Sequence, residues 1–399
     1  MYGLLKSLPR NSYNILTSFF AIDNVSAKMG DWLPGGYIFY DHPQANRKTF
    51  NLGSVQGKAE KTRSFITKLK HLAKRVWFIR SIIGIPVICL QIILIVRQGK
   101  KSVVSGDVDM LFGFPDYGPA MIGTYLIHRA TGKPYSVCMF DLYKDNNFPF
   151  PGGILANLFE PKIFRSATKI MLNNAGTLDY YKECYPKEVT DKMVIIPHSI
   201  SPKPYVNLQT PYKPKPPYTI LFTGGIYWPQ IASIKNLIRA VEAMDDLDIK
   251  FQIYCPNPKD YLARVGIRES SRLSIKVASP QEIPHIQSKA DILFLPFAWR
   301  AKSEQIVNTA TPGKMIDYLI AGRPILIHAP SSAYLVKYAK ENNFAAVVDR
   351  ESIPLLQNTI RRLLTDLPWA RQLISNAQST FYQNHNLEKN IKLFQALLT

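Results

Sequence analysis

Short apolar runs alternate with amphipathic stretches along most of this chain, the pattern of strands and helices taking turns. From residue 109 the alternation is regular. DMLFGF (109–114) predicts a strand, 118–130 an apolar helix closed by Thr131-Gly132, and PYSVCMFDL (134–142) another strand. A helix at 152–165, a strand at 168–172, a helix at 175–185 and a strand at 193–197 follow. Strand, helix, strand at this spacing marks right-handed parallel crossovers, so the first 200 residues are expected to form one doubly wound domain. Before them, residues 1–8 read as the end of a helix stopped by Pro9, YNILTSFF (13–20) as a strand, and 22–51 as loop around a short strand at YIFY.

Six prolines between Ser201 and Pro217 predict a stiff linker. A second series starts behind it. TILFTGG is a strand ending in two glycines; a helix from about 231 to 244, strands at IKFQIYC and LSIKV, a helix at 281–288 and a strand at 291–297 come next. In Thr309–Pro330, Met315, Ile316, Leu319 and Ile320 recur at helical spacing, Gly322 supplies the stop, and PILIHA is a strand. That helix is expected to start at Thr311-Pro312-Gly313, with Thr311 as N-cap and Pro312 in the first position. The free N–H groups of such a turn favour an anion. Lys314 and Asp317, three apart, share one helix face; one can hold a phosphate by charge and the other can accept bonds from sugar hydroxyls.

The run Pro312, Lys314, Asp317, Tyr318, Leu319, Ala321, Gly322 and Pro324 resembles the nucleotide-sugar loop of retaining GT-B glycosyltransferases of family 4 type. The resemblance implies an α/β fold of two Rossmann-like doubly wound domains facing a cleft: an acceptor domain (1–200), the linker (201–217), a nucleotide-sugar domain (218–380) and a C-terminal crossover helix (381–399). It implies that Asp317 binds the ribose and Lys314 the diphosphate. Gly224 and Gly225 would let backbone approach the diphosphate, and Lys235, or the nearby Arg239, would reach it from the following helix. Thr309 stands where many members carry a Glu facing the donor sugar, so that contact does not carry over. Asp141, at a strand end, and His198, where the common family sequence has Asn, are the candidates on the catalytic side; a capping or loop role for Asp141 stays open. In the family an opening strand and glycine-rich loop precede the first helix, so here they are expected upstream of Met1, unless the chain is a truncated form.

The implied reaction moves a sugar from a nucleoside diphosphate sugar to a glycan or lipid-linked acceptor with retained configuration, in cell-surface polysaccharide or glycolipid synthesis. The nucleotide sugar is a co-substrate, and neither a cofactor nor an obligatory metal is expected. Two other readings stay open, a GT-B sugar-nucleotide epimerase and a non-catalytic partner that binds nucleotide sugar or membrane.

Charge adds one feature. The net charge is +20 over 399 residues, which calls for an anionic partner. Eleven lysines and arginines fall between Lys58 and Lys101 against the single acid Glu60, around the apolar run Ser81–Val96. At 16 residues, with Gly84, Pro86 and Gln91, that run is too short and interrupted to span a bilayer. It is expected as a buried helix behind a basic amphipathic segment, which either lies on an anionic membrane or is simply solvated. No nucleic-acid motif appears, so no nucleic acid is expected as partner. Cys89, Cys138, Cys184 and Cys255 are scattered and no leader pattern opens the chain; a cytoplasmic protein, peripheral on the inner membrane face, is expected.

Overall fold

The computed structural model describes residues 2–9, 11–18, 33, 35–41, 77–114, 119–146, 148, 150–301 and 303–398, with the side chains of 2 and 77–83 excepted. The basic positions 58–75 and most of the loop 22–51 lie outside the described residues. Two compact units share the chain. One holds Met1–Asn173, Tyr181–Ile196 and Phe394–Thr399; the other holds Asn174–Tyr180 and Pro197–Leu393.

In the first unit β1 (Asn14–Thr17) pairs in parallel with β2 (Gly36–Phe39). β3 (Leu111–Gly113), β4 (Tyr135–Met139), β5 (Ile170–Leu172) and β6 (Met193–Ile195) form a second parallel sheet in chain order. All five residues of β4 are buried, as a central parallel strand covered on both faces requires. Tyr135 keeps its hydroxyl satisfied there by donating to the Ile163 carbonyl at 2.7 Å.

The apolar run at 81–96 belongs to a helix, Trp77–Ser105, but not to a fully buried one. Ile95 and Val103 are buried, and two glycines let this helix meet Pro119–Thr131 closely: a Cβ on Gly99 would collide with Ile127, and one on Gly123 with Ile95. Ile85, Val87, Leu90 and Ile93 remain exposed. The run is apolar on every face, whereas the helices packed on it cover only part of its circumference. No helix of the described residues is long and apolar enough to cross a membrane.

The second unit is built on six parallel strands: β7 (Tyr218–Thr223), β8 (Ile249–Tyr254), β9 (Leu273–Lys276), β10 (Ile292–Pro296), β11 (Ile325–His328) and β12 (Ala346–Val348). Their order is β12-β11-β10-β7-β8-β9, so the winding reverses between β7 and β10. Alternation along β7 sends Ile220 and Phe222 into one core and Leu221 into the other, on opposite faces of the sheet. At such a reversal the loops leaving the carboxyl ends part, and open α/β sheets bind their ligands there. The helix after β7 runs Trp228–Glu242, a turn earlier than its apolar periodicity predicts, because Pro229 suits the first turn and Gln230 accepts from the Tyr227 N–H at 3.1 Å.

The proline-rich stretch is strapped to this unit. Tyr205 and Tyr212 are buried, and the Tyr212 hydroxyl donates to the Leu363 carbonyl at 3.1 Å. Arg323 reaches back to the Thr210 carbonyl at 3.0 Å.

Candidate functional site

At the carboxyl end of β7 the chain turns through Gly224 with φ +110°, a conformation that disfavours any side chain. A Cβ on Gly224 would lie 3.3 Å from Lys314 Cε, so the lysine stem packs directly against this turn. Its Nζ sits 4.2 Å from the centroid of the Phe222 ring. Gly225, the other glycine, is exposed and a Cβ there would meet open space, so only Gly224 is demanded by geometry.

Lys314 opens the helix Lys314–Ile320. Burial pushes its ammonium down to about 8, and no carboxylate among the described residues pairs with it. Asp317 lies a turn further on, and burial pushes its carboxyl up to about 6 against the opposing effect of a hydrogen bond from Tyr205. Both side chains keep part of their surface open while protein surrounds most of the rest. The surroundings set the acidities. A cation without an anion, beside the Gly224 turn at a sheet reversal, is a site prepared for negative charge.

A chain of polar groups supports Asp317. The Tyr205 hydroxyl lies 3.2 Å from Asp317 Oδ1 and 2.8 Å from Gln287 Oε1. Gln287 Nε2 donates to Thr223 Oγ1 at 2.9 Å, and the Thr223 N–H donates to the Tyr318 hydroxyl at 2.9 Å. Tyr205 comes from the short helix Lys203–Val206 and Gln287 from the helix Ile283–Ser288. Sequence reading misses both; Tyr205 hides among prolines and Gln287 on an unremarkable helix.

The expected helix start needs correction. Thr311 is not the N-cap; Gly313 takes that place. The Thr311 hydroxyl instead accepts from Asn174 Nδ2 at 3.0 Å, and the same amide donates to the Thr309 carbonyl at 2.7 Å. The Pro312 carbonyl accepts from the Met315 N–H at 2.9 Å, a single turn ahead of the helix.

No protein-family model matches this chain, and no curated relative does. Solved structures do. A glycosyltransferase from Rickettsia africae ESF-5 is similar with a TM-score of 0.57 at 14% identity, over 77% of this chain and 82% of that one. Sucrose-phosphate synthase from Thermosynechococcus elongatus gives 0.57 at 13%, over 76% of each. The Anabaena protein HepE, solved with UDP-glucose, gives 0.55 at 13%, over 76% of this chain and 81% of that one. The chain has the GT-B glycosyltransferase fold. Identity this low speaks for the fold alone.

Thr309, Lys235 and His198 belong to the second unit of this GT-B fold. Thr309 is buried, and its hydroxyl donates to the Gln305 carbonyl at 2.8 Å. The Lys235 Nζ lies 2.9 Å from where a Cβ on Gly266 would sit, two turns along its helix from the Gly224 loop. His198 is partly buried and held at about 4, chiefly by burial, so its ring is neutral near pH 7. Its carbonyl accepts from His385 Nδ1 at 2.7 Å. Asp141 belongs to the first unit, exposed just beyond β4. No group of three or more His, Cys, Asp or Glu side chains that could hold a metal occurs among the described residues.

A second buried polar group lies at the end of β11, and sequence reading misses it as well. His328 Nδ1 donates to the Val348 carbonyl at 2.9 Å, and its Nε2 lies 3.1 Å from Asn236 Nδ2, which donates to it. The Trp299 ring packs on it at 4.7 Å. These bonds tie β11 and β12 to the helix Trp228–Glu242 and so brace one side of the sheet reversal.

Proposed function

We propose that this protein is a retaining glycosyltransferase that takes a sugar from a nucleoside diphosphate donor and gives it to a glycan or lipid-linked acceptor, in cell-surface polysaccharide or glycolipid synthesis. One observation carries the reading: the unpaired Lys314 under the Gly224 turn, with Asp317 one helical turn away. A diphosphate against Gly224 gives Lys314 the anion it lacks and restores its full charge. Ribose hydroxyls can then donate to the open side of Asp317, which Tyr205 steadies from behind. As the sugar leaves, charge grows on the diphosphate, and Lys314 stabilises it without having to move. The departing diphosphate accepts the acceptor's proton on the same face, so neither an enzymic nucleophile nor an obligatory metal is required. Further support comes from the similar Anabaena HepE, whose structure holds UDP-glucose.

The test is calorimetry with nucleoside diphosphates and their sugars, followed by a turnover assay with acceptor in the presence of a chelator. Lys314→Ala and Asp317→Asn should each weaken nucleotide binding by about 1–3 kcal/mol, the scale of a lost charge-assisted hydrogen bond, with the fold intact. Nucleotide release that needs acceptor separates a transferase from an epimerase or a non-catalytic binder. Unchanged affinity in both variants removes these residues from the site.

A further inference from the structure

Tyr227 and Trp228 join the Gly224 turn to the helix Trp228–Glu242, and they are 55% and 49% exposed. Tryptophan is highly buried on average, whereas here half of it is left in water. The backbone that carries the two rings is held firmly. Asn257, just after β8, accepts from the Ile226 N–H at 2.8 Å and donates to the Ile226 carbonyl at 2.9 Å. The Tyr227 N–H donates to the buried Gln230, and the Gly224 N–H donates to the Tyr254 carbonyl at 2.8 Å. The turn after β7 is thus laced to the end of β8, its neighbour on the side away from the reversal. Rings presented on a fixed backbone lose little conformational freedom when something settles on them.

The same helix fixes where the rings stand. Ser233 Oγ lies 2.7 Å from the Phe297 carbonyl, just past β10, and 2.9 Å from the His328 carbonyl at the end of β11. A crossover helix runs back against the direction of its strands, so Trp228, five residues before Ser233, stands about 7.5 Å beyond those strand ends. Tyr227 is three residues from Gly224 and so within about 11 Å of it. Both rings therefore lie past the carboxyl ends of the strands at the reversal, on the outer side of the turn against which Lys314 packs.

We propose that Tyr227 and Trp228 are a stacking platform for a pyranose ring of the acceptor. This rests on the donor reading above, because a diphosphate at Gly224 brings the sugar to be transferred next to these rings. A pyranose presents C–H groups on one face and hydroxyls around its edge, and an aromatic ring with a polar tip matches both. Half-open rings suit the acceptor rather than the donor. A sugar in transfer is kept from water, whereas an acceptor arrives from solvent and leaves by it. An acyl chain or a protein face would call for aliphatic side chains beside the rings, yet Ile226, Ile231 and Ile234 all pack into the core of the second unit.

The experiment is fluorine NMR of the full chain labelled with 5-fluorotryptophan. The sequence holds five tryptophans, and Trp228→Phe identifies the Trp228 line. Methyl glycosides of glucose, galactose, mannose, rhamnose and N-acetylglucosamine are titrated in with UDP or GDP present. At least one should move the Trp228 line saturably while the other lines hold still. Tyr227→Ala should weaken that glycoside about fivefold, the scale of one stacked ring, with thermal unfolding unchanged. Calorimetry should give Tyr227→Ala and Trp228→Ala the nucleoside diphosphate affinity of the parent. A Trp228 line that no glycoside moves, a glycoside shift that the nucleotide abolishes, or nucleotide affinity lost in the two ring variants would each overturn the proposal, the last by assigning the rings to the base. A parent that binds glycoside at Trp228 but no nucleotide would remove the donor reading and keep the rings as a sugar site, so the two failures are told apart.

Discussion

Replacing Lys314 by Met should make the free protein more stable and weaken its hold on nucleotide. Met matches the lysine stem in length, so the change removes charge without opening a cavity. Burial brings the ammonium from the ordinary 10.5 to about 8, which puts the cost of keeping it charged at about 3 kcal/mol. The Phe222 ring at 4.2 Å returns about 1 kcal/mol of that as a cation–π contact. A net gain of about 2 kcal/mol at pH 7 follows for the Met variant. Urea unfolding without nucleotide measures it. The pH course checks its cause. Between about 8 and 10.5 the unfolded chain still binds the proton that the folded chain has lost, so the parent gains stability as pH rises through this window and the Met variant does not. The gap between them therefore closes towards high pH. Saturating nucleoside diphosphate should stabilise the parent by about 1–3 kcal/mol more than the variant. A Met variant less stable than the parent, or a gap that ignores pH, would refute the account of Lys314 as a buried cation awaiting an anion.

Nucleotide affinity should fall as pH drops through about 6, where Asp317 takes up a proton and loses an acceptor; calorimetry across that range tests it, and Asp317→Asn should abolish the dependence. Tyr205→Phe should move the midpoint upward, because the lost hydrogen bond favours the carboxylate. Asn174→Ala should cost about 2 kcal/mol in urea unfolding, since it strips partners from the Thr309 carbonyl, the Thr311 hydroxyl and the Thr177 N–H, and it should also loosen the turn ahead of Lys314. Glu160 is buried in the first unit, accepting from the Lys144 N–H and the Tyr185 hydroxyl at 2.7 Å each, and burial raises its carboxyl to about 7. The folded chain thus holds a proton that the unfolded chain releases above 4.5, so stability should fall as pH rises from 4.5 through 7, by up to about 3 kcal/mol. Glu160→Gln should flatten that slope in thermal or urea unfolding.

The parts of this protein that its sequence determined by itself are those where the deciding interactions are local. Strands β4, β7, β10 and β11 stand out because a strand buried on both faces reads as a nearly continuous apolar run. Lys314, Asp317 and Gly224 are legible for the same reason: a helix places residues three apart on one face, and a glycine at a strand end allows a turn that other residues avoid. Tertiary structure decided what depends on partners far along the chain. Tyr205 meets Gln287 across 82 residues and Asp317 across 112, and no local pattern marks such a pairing. The helix is capped at Gly313, and the Thr311 hydroxyl instead accepts from Asn174, 137 residues earlier. Two adjacent glycines look equal as letters, yet only Gly224 carries a positive φ with Lys314 packed against it. The run at 81–96 is apolar on every face, so which side would be covered was not written in it; the position of its neighbouring helices left Leu90 and Ile93 outside.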